Sequence, residues 1–174
     1  MKKPRPQMVI VEDTREALPF RFSGVEVVRR CLETGDYSVE GFESEVVVER
    51  KGLGDFVGSL TMLWPKEDEH GRLIESRFER ELIRLREFSL ARIVVEGSIS
   101  EIIRHEYRAD VHPNCIMGMA YKVENEFGIP IVWAESHRLG AVYTQGLLAR
   151  WWKTRTAETH DAEQWEYTRA HTGE

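Results

Sequence analysis

Short, nearly unbroken apolar runs alternate along this chain with longer segments whose apolar residues recur at helical spacing. The runs are Met8–Glu12 (MVIVE), Val46–Val48 within Glu45–Arg50, Ala91–Glu96 (ARIVVE) and Ile131–Trp133 (IVW). Continuous apolar residues without a polar alternate predict strands buried on both faces. Tyr37–Glu40 precedes Glu45–Arg50 across Gly41, which predicts a hairpin. Val25–Leu32 fits helix or strand, and its alternation and β-branching favour strand.

Between the strands the period changes. Arg72–Phe88 puts Ile74, Phe78, Leu82 and Leu85 on one stripe, predicting an amphipathic helix. Gly52–Met62 has a usable apolar face in Leu53, Phe56, Val57 and Leu60, weakened by Gly52, Gly54 and Gly58. Ser98 or Ser100 can cap a helix from Ile99 to Tyr107, and Pro113 suits the first turn of another through Phe127. A last helix spans Arg138–Lys153, while Trp64–Gly71 is polar, Pro/Gly-bounded and expected to be an exposed loop. From Thr154 onward no apolar period remains. The expected organisation is therefore one domain over residues 1–153 and a polar, flexible tail over 154–174. Strand and helix alternating in the second half, with the hairpin before them, predict an α/β domain of three layers around a mixed sheet.

Composition narrows the class. The chain has 174 residues, 41% apolar and 31% charged, as soluble globular domains do. No apolar run approaches the roughly 20 residues of a membrane span, and no membrane partner is expected. Two cysteines in no metal-ligand spacing point to a reducing cytoplasm. The formal charge is −6, with 24 basic against 30 acidic residues, which weighs against strong autonomous nucleic-acid binding. No P-loop and no G-x-G-x-x-G follows a strand, so no nucleotide cofactor is expected.

The chemistry concentrates between Gly35 and Asp55. Asp36 is followed, after twelve intervening residues, by Glu49-Arg50-Lys51, and then by Asp55. On a strand, residues two apart share a face, so Glu49 and Lys51 converge while Arg50 points away or edges the site. Two carboxylates beside an ammonium are what metal-dependent phosphodiester hydrolysis requires. Asp13-Thr14-Arg15-Glu16 closes the first strand, where it can either join a site or cap a loop. Arg77, Arg80 and Arg84 form a row beside the apolar stripe of their helix. That row is either a solvated face or a set of phosphate contacts.

Taken together, Gly35-Asp36, Glu49-Arg50-Lys51 and Asp55, with Asp13, Arg15 and Glu16 upstream, resemble the signature of the ERCC4-type nuclease domain of the XPF/Mus81 family. The similarity runs over roughly residues 8–150. It implies a restriction-endonuclease-like fold and a Mg²⁺- or Mn²⁺-dependent DNA endonuclease acting on branched or flapped DNA, with a catalytically silent binding module as the alternative. On this resemblance Asp36, Glu49 and Asp13 are metal ligands and Lys51 orients or activates the attacking water. Arg50 and Arg15 hold carboxylates or phosphate oxygens, and Asp55 either positions Arg50 or Lys51 or caps its helix. Family members usually carry a helix-hairpin-helix module, which this chain is expected to lack as a stand-alone form of the kind found in bacteria, phages or mobile elements. The DNA grip would then come from a homodimer, with Met117, Met119, Trp151 and Trp152 as candidates if they are not core, or from a separate DNA-binding partner.

Overall fold

A computed structural model describes residues 7–172, with side chains described as far as residue 157. Six strands form one sheet: β1 (Val9–Asp13), β2 (Glu26–Arg30), β3 (Tyr37–Val39), β4 (Val46–Gly52), β5 (Leu90–Glu96) and β6 (Ile131–Trp133). Their order is β2-β1-β3-β4-β5-β6. β3 lies antiparallel to both β1 and β4, whereas β1–β2, β4–β5 and β5–β6 are parallel. The sheet is mixed, as the sequence implied. Five helices cover it: α1 (Leu53–Thr61), α2 (Arg77–Leu85), α3 (Ile99–Ile103), α4 (Pro113–Glu126) and α5 (His137–Thr172).

Strand alternation sorts the core into two layers. Val47, Ile93 and Val95 pack beneath α1, α2 and α4 against Phe56, Leu60, Phe78, Leu82 and Ile116. Val46, Val48 and Val94 face the other way and meet Ile10, Tyr37 and Leu148 of α5. Both faces of β4 and β5 are therefore covered, which is why their sequences read as continuous apolar runs.

Several helix boundaries differ from expectation: α3 ends at Ile103 rather than Tyr107 and α2 at Leu85 rather than Phe88. α2 starts at Arg77, because the Ser76 side chain caps it by accepting from the Glu79 backbone N–H. The five residues before it stay outside the helix, and Ile74 is 52% exposed rather than part of the stripe. α5 does not stop at Lys153 but continues to Thr172, a stretch whose side chains beyond residue 157 lie outside the described residues. Met117 is buried in the core, and Met119, Trp151 and Trp152 are partly buried against it, so packing accounts for all four.

Candidate active site

The sheet's directions gather the chemistry. β1, β4 and β5 run the same way, so their C-terminal ends bring Asp13, Glu49-Arg50-Lys51 and Glu96 to one edge. β3 runs oppositely, so its start places Asp36 at that same edge. Asp36 is fastened between its neighbours: its N–H donates to Val48 O (2.9 Å) and its carbonyl accepts from Asp13 N (2.8 Å). The residue before it must turn sharply. Gly35 has φ 78°, and a Cβ there would lie 2.1 Å from Val47 Cγ2. Only glycine fits both the conformation and the space.

Below the cleft, on the α1–α4 side, sits a dense group of charges. Lys51 Nζ donates to Glu49 Oε1 (2.9 Å) and pairs with Glu81 Oε1 of α2 (2.8 Å), with its ammonium 5.3 Å from the Phe78 ring centre. Glu49 and Lys51 are on one face, as strand geometry requires. Asp36 Oδ2 accepts the Arg50 N–H (2.7 Å). Burial, partly offset by that N–H, raises Asp36 to about 6, and the nearby Glu16 and Glu81 charges add to the rise. Burial and the Asp36 charge raise Glu49 to about 8 despite the Lys51 ammonium. Burial also disfavours a charge on Lys51, yet Glu49 and Glu81 outweigh it and keep the ammonium. Sequence reasoning did not find Glu81. It lies on a helix thirty residues away, and only the packing of Phe78 and Leu82 turns it toward the sheet.

Arg50 faces the opposite layer. Its Nε donates to Glu96 Oε1 (2.6 Å) and a terminal nitrogen lies 3.4 Å from Glu16 Oε1. His137 Nδ1 shares that Glu96 oxygen at 2.6 Å. Burial would raise Glu96, but these two partners hold it below its ordinary value. The partners that Arg50 holds, Glu96 and Glu16, come from β5 and the loop after β1.

The Oδ1 of Asp13 accepts from Arg15 N (2.7 Å) and Nε (2.8 Å), and its Oδ2 from Arg15 Nη2 (3.0 Å) and Leu32 N (2.6 Å). Burial opposes ionisation, but these bonds lower its pKa overall. With both oxygens doubly engaged, Asp13 clamps the loop after β1 to Leu32 while still lining the cleft. Arg15 is correspondingly bound by Asp13 and by the Leu32 carbonyl (2.6 Å), though it still borders the cleft.

The cleft itself is about 610 Å³ and is lined by Asp36, Glu49, Arg50, Asp55, Arg77 and Arg84 among others. Arg84 Nε donates to Thr34 Oγ1 (3.2 Å), tying α2 to the loop that carries Gly35 and Asp36. Arg80 is not brought in; its guanidinium donates to Glu75 O (2.9 Å) on the exposed side. Asp55 neither caps α1 by side chain nor bonds Arg50 or Lys51. Its carboxylate instead lines this cleft and a second hollow of about 360 Å³ beside Lys51.

Among the described residues no three His, Cys, Asp or Glu side chains form a ready-made metal cage. Mg²⁺-type sites, however, use one or two carboxylates completed by water and substrate phosphate. Asp36 and Glu49 supply hard oxygen donors, and burial, more than neighbouring charge, raises both above their ordinary values despite the Lys51 ammonium. The donor set fits such an ion.

A mixed sheet clad on both faces, with Asp36, Glu49-Arg50-Lys51 and Asp55 at one strand edge, defines a protein class. The chain belongs to the ERCC4 domain family, whose model matches residues 9–147. A "Putative ATP-dependent RNA helicase" of Methanocaldococcus jannaschii is 28% identical over 139 residues, spanning 78% of this chain and 14% of that protein. Two structures of XPF from Aeropyrum pernix share the fold. One aligns with TM-score 0.60 and 23% identity over 81% of this chain and 60% of that one. The other, a complex with DNA, aligns with TM-score 0.62 and 24% identity over 84% and 66%. The chain thus spans about one seventh of the curated relative and less than two thirds of either XPF chain. Among the described residues no helix is long and apolar enough to cross a membrane.

Proposed function

We propose that this domain hydrolyses phosphodiester bonds in DNA as a divalent-metal-dependent endonuclease, with branched or flapped DNA as its substrate. The observation that carries this is the pairing of Asp36 and Glu49, both raised by burial, with an ammonium held 2.9 Å from Glu49. A structural ion pair needs one acid per base; here surplus carboxyls meet in a cleft open to solvent. Asp36 and Glu49 would hold Mg²⁺ or Mn²⁺, with Asp55 on the same wall. The bound ion supplies Lewis-acid polarisation of the phosphate and a lowered pKa for water.

The chain's own residues do the rest. Lys51, kept charged by Glu49 and Glu81, presents a fixed cation toward negative charge developing on the phosphate. Arg50, which lines the cleft as well as bonding Glu96 and Glu16, would offer its remaining guanidinium donors to a phosphate oxygen. Arg77 and Arg84 at the mouth suit flanking phosphates, which position the strand without reading its sequence.

End-labelled flap, splayed-arm and duplex DNA incubated with Mg²⁺ or Mn²⁺ tests this. Cleavage near the branch, abolished by chelation and by Lys51→Ala, is expected. DNA binding without turnover in either metal would instead identify a silent binding module.

A further inference from the structure

We propose that His137, the first residue of α5, is a positioning residue for Arg50 and acts through Glu96. The inference rests on the proposed hydrolytic role of the site only for its catalytic consequence; the positioning itself stands on geometry. Glu96 Oε1 receives two short bonds at once, from Arg50 Nε and from His137 Nδ1, each 2.6 Å. One carboxylate oxygen thus joins β4 to α5 across β5. Parity makes this meeting obligatory, because Arg50 and Glu96 both point to the α5 face, as Val48 and Val94 do.

His137 has little freedom to leave. Its ring packs 5.0 Å from Phe20, tilted by 59°, and Nε2 lies 3.3 Å from the Pro19 carbonyl. Phe20 is in turn pinned, its N–H donating to the Tyr37 hydroxyl (2.7 Å), and Phe20 stacks on that ring. Tyr37 directly follows Asp36. The imidazole therefore has an acceptor at each nitrogen and an aromatic wall beside it, and it holds the same Glu96 oxygen that Arg50 uses. Without the imidazole, Glu96 gains room to swing, and the Arg50 guanidinium loses the fixed acceptor that aims its remaining donors at the cleft. Partners of this outer kind commonly change activity or affinity by about 10- to 100-fold.

Two measurements on the intact chain decide the matter. By ¹⁵N NMR, the Arg50 Nε–H should exchange slowly with solvent in the native protein and markedly faster in His137→Ala. His137→Asn, whose amide N–H can replace Nδ1 toward Glu96, should restore slow exchange. Glu96→Gln, which keeps the shape and drops the charge, should also speed exchange, and it serves if the alanine variant does not fold. This readout needs neither metal nor DNA, so it stands even if the native protein cleaves nothing. In the cleavage assay kcat should fall about 10-fold in His137→Ala, with KM little changed and with recovery in His137→Asn. Arg50 exchange unaltered in both His137→Ala and Glu96→Gln would overturn the proposal, as would an asparagine variant no better than alanine.

Discussion

Asp36 and Glu49 bind a proton more tightly in the fold than in an open chain, rising from 3.8 to about 6 and from 4.5 to about 8. Between those limits the folded protein holds more protons than the unfolded one. The contribution is fully present below the ordinary carboxyl range and is lost as pH rises through the folded values. The melting temperature of chelator-treated protein should therefore fall between about pH 5 and about pH 8.5, and Glu49→Gln should flatten that decline. Added Mg²⁺ or Mn²⁺ should recover more stability at the alkaline end than at the acid end. A melting temperature independent of pH in both proteins would contradict the burial-driven shifts. Asp13 and Glu96 have the opposite sign, because their partners lower them, so their contribution is lost on acidification. Glu49 and Lys51 were legible in the sequence because strand parity puts them on one face, and Asp36 through its place in the motif. Glu81, Glu96 and His137 were not, since each reaches the site from an element far along the chain. For Asp13 the sequence concealed the bonds from Arg15 and the Leu32 N–H, which engage both of its oxygens.

At the level of elements, the turn before β3 is the most exacting piece. Gly35→Ala would force a side chain into a left-handed backbone and onto Val47. It should destabilise the fold by about 2 kcal/mol or more by chemical denaturation. A loss below about 0.5 kcal/mol would show that Val47 and the turn relax freely. Strands were readable because β4 and β5 are buried on both faces and leave no polar alternate. Helix ends were less so. Arg72–Glu75 carry helix-compatible residues, but the Ser76 cap starts α2 later and leaves Leu73 and Ile74 exposed. In α5 the apolar period fades after Trp152, yet the backbone continues helical to Thr172.

For the molecule as a whole, the net charge of −6 works against a polyanion, and within the cleft Arg15, Arg50, Arg77 and Arg84 stand among a larger number of carboxylates. Local placement decides contact with a polyanion, and the number of phosphates its cations neutralise sets how steeply salt weakens it. DNA affinity should be modest and salt-sensitive. Arg77→Ala and Arg84→Ala should each reduce the slope of log K against log salt by about 1, whereas Arg80→Ala should leave it unchanged. Equal effects from all three arginines would place the DNA path elsewhere. The three-layer architecture was legible from alternating strands and helices, but the strand order was not. Only the pairing of β3 between β1 and β4 brings Asp36 beside Glu49.

Single-turnover cleavage of a flap DNA in Mn²⁺, comparing the native chain with Asp36→Asn, tests the central claim most directly. Asparagine keeps an oxygen to accept the Arg50 N–H, so folding and DNA affinity should be retained while the rate falls about 100-fold or more. Equal rates for the two proteins would show that Asp36 takes no part in the chemistry.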